Sequence, residues 1–229
     1  MKKNLPLSVI MVFLMVAVSC SHKYYKASNF EAQTTDHRVV AVLPAEMIYT
    51  GNLPKNKTEE EIAKQEEVES QDFQHALFNS ILRNANTGRY VTTINFQDVY
   101  TTLNRLKDSS ISIRDSWKMD DKELARILGV DAVIKMRIQK RRYMSDGASY
   151  GVDAARRIFN GTGVGSKLPI PSNASKTNDI YASCNLLSNN QTLWNDNYKG
   201  GADWDTPSNV IVENITDNFG RHFPYKRKK

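Results

Sequence analysis

The spacing of apolar residues changes several times along the chain, and each change predicts an element. Leu5 to Val18 is an apolar run broken only by Pro6 and Ser8, with Lys2 and Lys3 in front of it. It is shorter than the ~20 residues of a comfortable membrane span. Ser21 to His37 is polar, with Tyr24, Tyr25 and Phe30 as its only large apolar residues, and reads as a flexible tether. Val39 to Leu43 is continuously apolar and stops at Pro44, as expected of a central strand covered on both faces.

Thr58 to Ala85 carries the strongest helical pattern. Thr58 and Glu61 form a capping box, Glu59 and Glu60 favour the helix dipole, and Phe73, Leu77 and Ile81 repeat every four residues. Gly88 is the expected stop. The half up to Glu69 is charged nearly all round and has to project into water or meet a partner. Tyr90 to Ile94 predicts a short strand. Asn95 is the expected cap of a helix with Val99, Leu103 and Leu106 on its buried stripe. Asp121 to Leu128 is a further helix, capped by Asp120 and ended by Gly129.

From Val130 to Ile138 the period falls to two. Val130, Ala132, Ile134, Met136 and Ile138 share one face, and Asp131, Lys135 and Arg137 the other, which Val133 marks as partly covered. Arg141 to Lys176 carries no clear pattern. A hairpin follows, with Ile180, Ala182, Cys184 and Leu186 on one side, Asn189-Asn190 at the turn, and Gln191 to Tyr198 returning. Thr206-Pro207 opens a last helix with Ile211, Ile215 and Phe219 as its stripe and Gly220 as its end. The alternation of strands and helices predicts a single-domain α/β sandwich. It has a mixed sheet flanked by helices and ends in a β-hairpin and a helix. The expected divisions are a leader over 1–19, a tether over 20–37, a domain over 38–224 with an irregular insert at 141–176, and a basic tail at 225–229.

The leader gains meaning from what ends it. Ala17-Val18-Ser19-Cys20 resembles a lipobox, with Ala where Leu is more usual. A positive start, an apolar stretch and small residues before a cysteine are the parts of a bacterial secretory signal. Acylation of Cys20 would bury tens of methylenes at ~0.8 kcal/mol each and hold the protein on a membrane surface. An ordinary cleaved signal and an uncleaved anchor are the alternatives. The chain has two cysteines, so lipid on Cys20 leaves Cys184 without a partner, and its place on the apolar side of a strand makes it a small core residue.

The formal charge of +6 owes two units to Lys2 and Lys3, and Lys226, Arg227, Lys228 and Lys229 add four more at the end. Basicity therefore sits mostly at the termini, where a solvated tail or attraction to anionic headgroups is expected. Lys135, Arg137, Lys140, Arg141 and Arg142 are the basic cluster inside the fold. An external compartment disfavours nucleic acid as its partner, leaving an anionic surface, a protein or plain solvation.

Catalytic patterns are thin. His22 and His37 fall in the tether, His75 on the long helix and His222 near the tail, without metal-ligand spacing. Gly161 to Lys167 lacks the Gly-Lys-Ser/Thr order of a phosphate loop, and GxSxG does not occur. Asp146 and Asp153 read as solvated loop carboxylates. No cofactor or metal is expected, and an unrecognised hydrolase is a remaining alternative.

Two segments together resemble a known family. Glu123 to Ile134 (ELARILGVDAVI) is similar to a segment of the envelope lipoproteins related to CsgG, LpoB and the DUF799-type lipoproteins. Leu186 to Trp194 (LLSNNQTLW) resembles their closing hairpin. The resemblance implies a sheet of the TolB N-terminal type with no active site, and members that act by contact, some on a peptidoglycan synthase, others within a secretion pore. A pore subunit needs membrane strands of ~9–11 alternating residues, and Arg141 to Lys176 shows none. The expectation is a lipid-anchored, non-catalytic accessory protein of a Gram-negative envelope, on the outer membrane and facing the periplasm. It would bind an envelope protein through Glu59, Glu60, Glu66 and Glu69 or through Lys135, Arg137, Arg141 and Arg142. Self-association and a secretion-pore or transport-complex role stay open.

Overall fold

The computed structural model describes residues 24–52, 57–161, 176–203 and 207–229. Cys20, the leader and Thr206 lie outside them, as does most of the Gly161 to Lys167 loop. Besides a separate two-stranded pair, the described residues form a seven-stranded mixed sheet flanked by helices. Its middle is β6 (Ala132–Arg142), which pairs antiparallel with β7 (Lys176–Ser188), itself paired antiparallel with β8 (Gln191–Asp203). On the other side of β6 run two short parallel strands, β2 (Val39–Val42) and β3 (Glu46–Gly51). Strand β5 (Asn95–Phe96) extends that side beyond β2, and β1 (Tyr25–Lys26) closes the other edge against β8.

Strands β2 and β3 are one strand interrupted by Pro44. Val42 faces Ile134 but Glu46 faces Arg137, so the broken side holds one residue more than β6 opposite it. Proline has no N–H to give the ladder. Helix α2 (Glu59–Ala85) repairs the gap: the Ser70 carbonyl accepts from the Ala45 N–H at 3.2 Å, and the Gln74 amide donates to the Val42 carbonyl at 2.7 Å. That explains the buried Gln74 side chain among the apolar residues of α2.

Two layers cover the sheet. Phe73, Leu77 and Ile81 of α2 and Ile215 and Phe219 of α7 (Ser208–His222) pack on Ile134, Met136, Cys184 and Trp194. The opposite face meets Leu106 of α3 (Val99–Asp108) and Leu124 and Leu128 of α5 (Asp121–Leu128), which cover Val133 and Ala41. Val133 marked this partial cover in the sequence. The Glu123 to Ile134 motif has a structural cause. Gly129 ends α5 with φ of 59°, and the Asp131 carboxylate accepts the Arg38 and Val39 N–H groups at 2.7 and 2.8 Å, joining the starts of β6 and β2. Asn189 and Asn190 both take positive φ, 50° and 62°, as a two-residue type I′ turn requires.

Several expectations change. The capping box on Thr58 is present, but α2 ends at Ala85 with Asn86 as its cap, before Gly88. Asn95 lies in β5, and Asp98 caps α3 instead. Residues 141–176 are not wholly irregular: β6 runs to Arg142, and α6 (Asp146–Gly161) carries Asp146 and Asp153 on a helix. Short α4 (Ile113–Lys118) went unseen because its one full turn gives no period to read. The expected tether is structured from Tyr25 onward. β1 joins the sheet and Phe30, in α1 (Phe30–Gln33), is buried at 2 % exposure. The tail is not frayed either: β9 (Lys226–Lys228) pairs with β4 (Tyr90–Thr92), and Tyr225 is buried.

Gly220 does not end its helix, which continues to His222. It allows α7 to touch α2, since a Cβ there would stand 2.4 Å from Ser80 Oγ and 2.9 Å from the Ser80 carbonyl carbon and oxygen. Gly220→Ala is therefore expected to destabilise the fold by about 1–3 kcal/mol in urea titration. Adding Ser80→Ala should recover only part of that, because the backbone contacts remain.

Candidate functional site

Of the two groups of charged residues expected to meet partners, half are instead engaged by other residues of the fold. The Pro44 break brings β3 under the first half of α2, so Glu69 reaches Lys140 and forms a mostly buried ion pair and hydrogen bond. Gln65 donates a second hydrogen bond to Glu69 at 3.0 Å. Burial alone would raise the Glu69 carboxyl, but the Lys140 charge and these hydrogen bonds outweigh it and hold it below the ordinary value. Tyr49 is pushed up by burial and then by the Glu69 and Glu66 charges. Glu66 pairs with Arg114 of α4 at 2.6 Å, and Glu67 meets the same guanidinium at 3.2 Å. Glu59 and Glu60 stay exposed at the start of the helix.

The basic residues divide in the same way. Arg142 is held by the Met144 carbonyl at 3.1 Å and Asp146 at 3.4 Å. Lys135 donates to the Met119 carbonyl, and burial lowers its ammonium against the pull of Asp121, Asp120 and Glu46. Arg137 faces Glu46 at 3.5 Å, and Arg141 lies 5.4 Å from the Tyr143 ring; both are exposed. Of the eight residues, four remain open to solvent: Glu59, Glu60, Arg137 and Arg141.

Folding assembles two histidine groups that sequence spacing hid. His37 Nε2 lies 3.4 Å from Ser188 Oγ, which suggests a nucleophile and base. Ser188 instead donates to the Asp131 carbonyl at 2.9 Å, His37 Nδ1 meets the Tyr225 hydroxyl, and the Asp131 carboxylate serves Arg38 and Val39. Among the described residues no carboxylate hydrogen-bonds the ring, and burial lowers the His37 pKa despite Asp131 and Asp36. The second group is His222, whose Nδ1 lies 2.8 Å from the fully buried Asp196, with Tyr24 stacked 5.3 Å from its ring. Cys184 stands opposite Asp196 on the neighbouring strand. Burial, and then the Asp196 charge, push that thiol well above its ordinary value. A nucleophilic cysteine needs the reverse. Asp153 is buried and pairs with Arg157 at 2.9 Å on α6. Among the described residues, no group of three or more His, Cys, Asp and Glu side chains is placed to hold a metal ion.

No protein-family description matches the sequence, and no curated protein is detectably similar to it. Among solved structures, the lipoprotein GNA1162 from Neisseria meningitidis aligns with a TM-score of 0.43 and 10 % identity over 79 % of this chain and 94 % of its own. A PelC dodecamer from Paraburkholderia phytofirmans gives 0.40 at 8 % identity, over 87 % of this chain and 93 % of its own. The LpoB C-terminal domain from Salmonella enterica gives 0.37 at 12 % identity, over 76 % and 92 %. Each likeness is too distant to imply a shared role.

The Glu69–Lys140 pair has a signed pH consequence. A depressed folded pKa stabilises above the ordinary glutamate value of about 4.3, and that contribution is lost as pH falls through the folded value. Glu69→Gln should cost about 1–3 kcal/mol near neutral pH and flatten the acid limb of the stability profile measured by urea titration.

Proposed function

We propose that this chain is a lipid-anchored, non-catalytic protein of the bacterial cell envelope, acting by contact with another envelope protein. The observation that carries the proposal is Cys20 behind its apolar leader and small residues. Acylated there, the chain would leave the cytoplasm and stay on a membrane, on this reading the outer membrane of a Gram-negative cell with the body in the periplasm.

The place of β1 supports a close mount. Tyr25, which pairs with Asn195 of β8, is five positions after Cys20. At ~3.6 Å per fully extended residue that leaves at most about 18 Å between lipid and sheet edge. Tyr24 and Tyr25 are 46 % and 53 % exposed beside that edge, and tyrosine is favoured at headgroup level. The contact role finds support in the outward charge of Glu59, Glu60, Arg137 and Arg141. The non-catalytic role finds it in the suppressed Cys184 thiol and in the engagement of Ser188 and His37 elsewhere.

Cys20→Ala is expected to move the protein from the membrane pellet to the soluble periplasmic fraction, with its thermal unfolding unchanged; retention in the membrane would contradict the anchor. Cross-linking in intact cells should capture a reproducible envelope partner, and Glu59→Lys with Glu60→Lys should weaken the capture. Rings in detergent that conduct ions across bilayers would replace this reading with a pore.

A further inference from the structure

Helices α3 to α5 cover only part of one sheet face, and what they leave open is not ordinary solvated surface. Residues of β6, β7 and β8 face outward there in register: Arg137 opposite Ser183 opposite Asn197, and Gln139 opposite Tyr181 opposite Lys199. They line a cavity of about 620 Å³, which also reaches Ala182, Tyr198 and, in α7, Asn218 on the other side of the sheet. A second cavity of about 330 Å³ continues from it, sharing Arg137 and Ser183 and reaching Trp117 of α4. Both volumes are in the range of small-ligand sites.

We propose that this groove binds an acidic glycan, a sugar chain carrying carboxylates. Three strands at ~4.8 Å spacing give a floor about 10 Å across, and the second cavity extends it toward α4. The floor carries amides and a hydroxyl (Gln139, Asn197 and Ser183), which can both donate to and accept from sugar hydroxyls. Aromatic rings stand toward its two ends, Tyr181 and Trp117, and an aromatic face suits the C–H face of a pyranose. The Trp117 indole N–H has no partner among the described residues.

Charge supplies the acidic part. Lys199 is exposed, 5.2 Å from the Tyr181 ring, and can turn to a carboxylate. Arg137 is 59 % exposed and pairs with Glu46 at 3.5 Å, a partly exposed pair weak enough to exchange for a bidentate ligand. A protein interface of the usual kind centres on a dry apolar patch, whereas Arg137, Gln139, Ser183, Asn197 and Lys199 put charge and hydrogen-bonding groups on this floor. The site shares Arg137 with the contact surface proposed above but needs no lipid, so loss of Cys20 leaves it intact.

The test is calorimetric titration of the purified full chain with tetragalacturonate, its methyl ester and tetraglutamate. The expected result is binding of tetragalacturonate, at least tenfold weaker binding of the ester, and no comparable binding of tetraglutamate. Lys199→Gln and Arg137→Ala should each weaken tetragalacturonate by about tenfold, the loss of one charged contact. Arg83→Ala, on helix α2, should leave it unchanged. Lys199 is exposed, so its variant reports on the site even if Arg137→Ala fails to fold. No binding of tetragalacturonate at roughly 1 mM overturns the proposal. So does equal binding of the ester or of tetraglutamate, the latter marking a site for acidic peptide, and so does unchanged affinity in Lys199→Gln.

Discussion

Strand β6 is the constraint on which the rest depends. It hydrogen-bonds on both edges, to β2 and β3 on one side and β7 on the other, and so joins the parallel and antiparallel halves of the sheet. Because its side chains alternate, it also sorts the protein into two surfaces. Ile134, Met136 and Ile138 go to the core under α2 and α7, and Lys135, Arg137 and Gln139 go to the face that helices leave half covered. A slip of one residue would exchange those sets and place a run of charge in the core. The Asp131 clamp on Arg38 and Val39 and the Asn189-Asn190 turn fix the register at one end of the sheet.

Much of this was legible in the sequence because the signals were local. The capping box at Thr58, the αL end at Gly129 and the two-residue turn are set by short-range chemistry, and each stands where the residues predicted it. The alternation of β6, with Val133 out of step, predicted even the partial cover. What failed was set by distant contacts. Tyr25 and Lys26 look like tether until β8 offers them a partner, and Lys226 to Lys228 look like a frayed tail until Tyr90 to Thr92 do. Gly220 reads as a helix end, yet tertiary packing against Ser80 is what it serves.

The candidate site was legible in composition more than in arrangement. Glu69 and Lys140 are both visible as charges, but only the break at Pro44, which carries β3 beneath α2, shows that they neutralise one another. Conversely Tyr181, Asn197 and Lys199 carried no motif, and their placement beside Arg137 follows from register across three strands. The histidine pairs His37–Ser188 and His222–Asp196 join residues 151 and 26 positions apart, distances no spacing rule reaches.

The proposed function rests on Cys20, because acylation there would fix the compartment and, through the short span to β1, how close the body stands to the bilayer. Intact-mass spectrometry of protein taken from its native membrane tests this most directly. The account predicts a chain that begins at Cys20 and carries the added mass of a diacylglyceryl group, with or without a further acyl chain. A retained leader, or an unmodified thiol at that position, would contradict it.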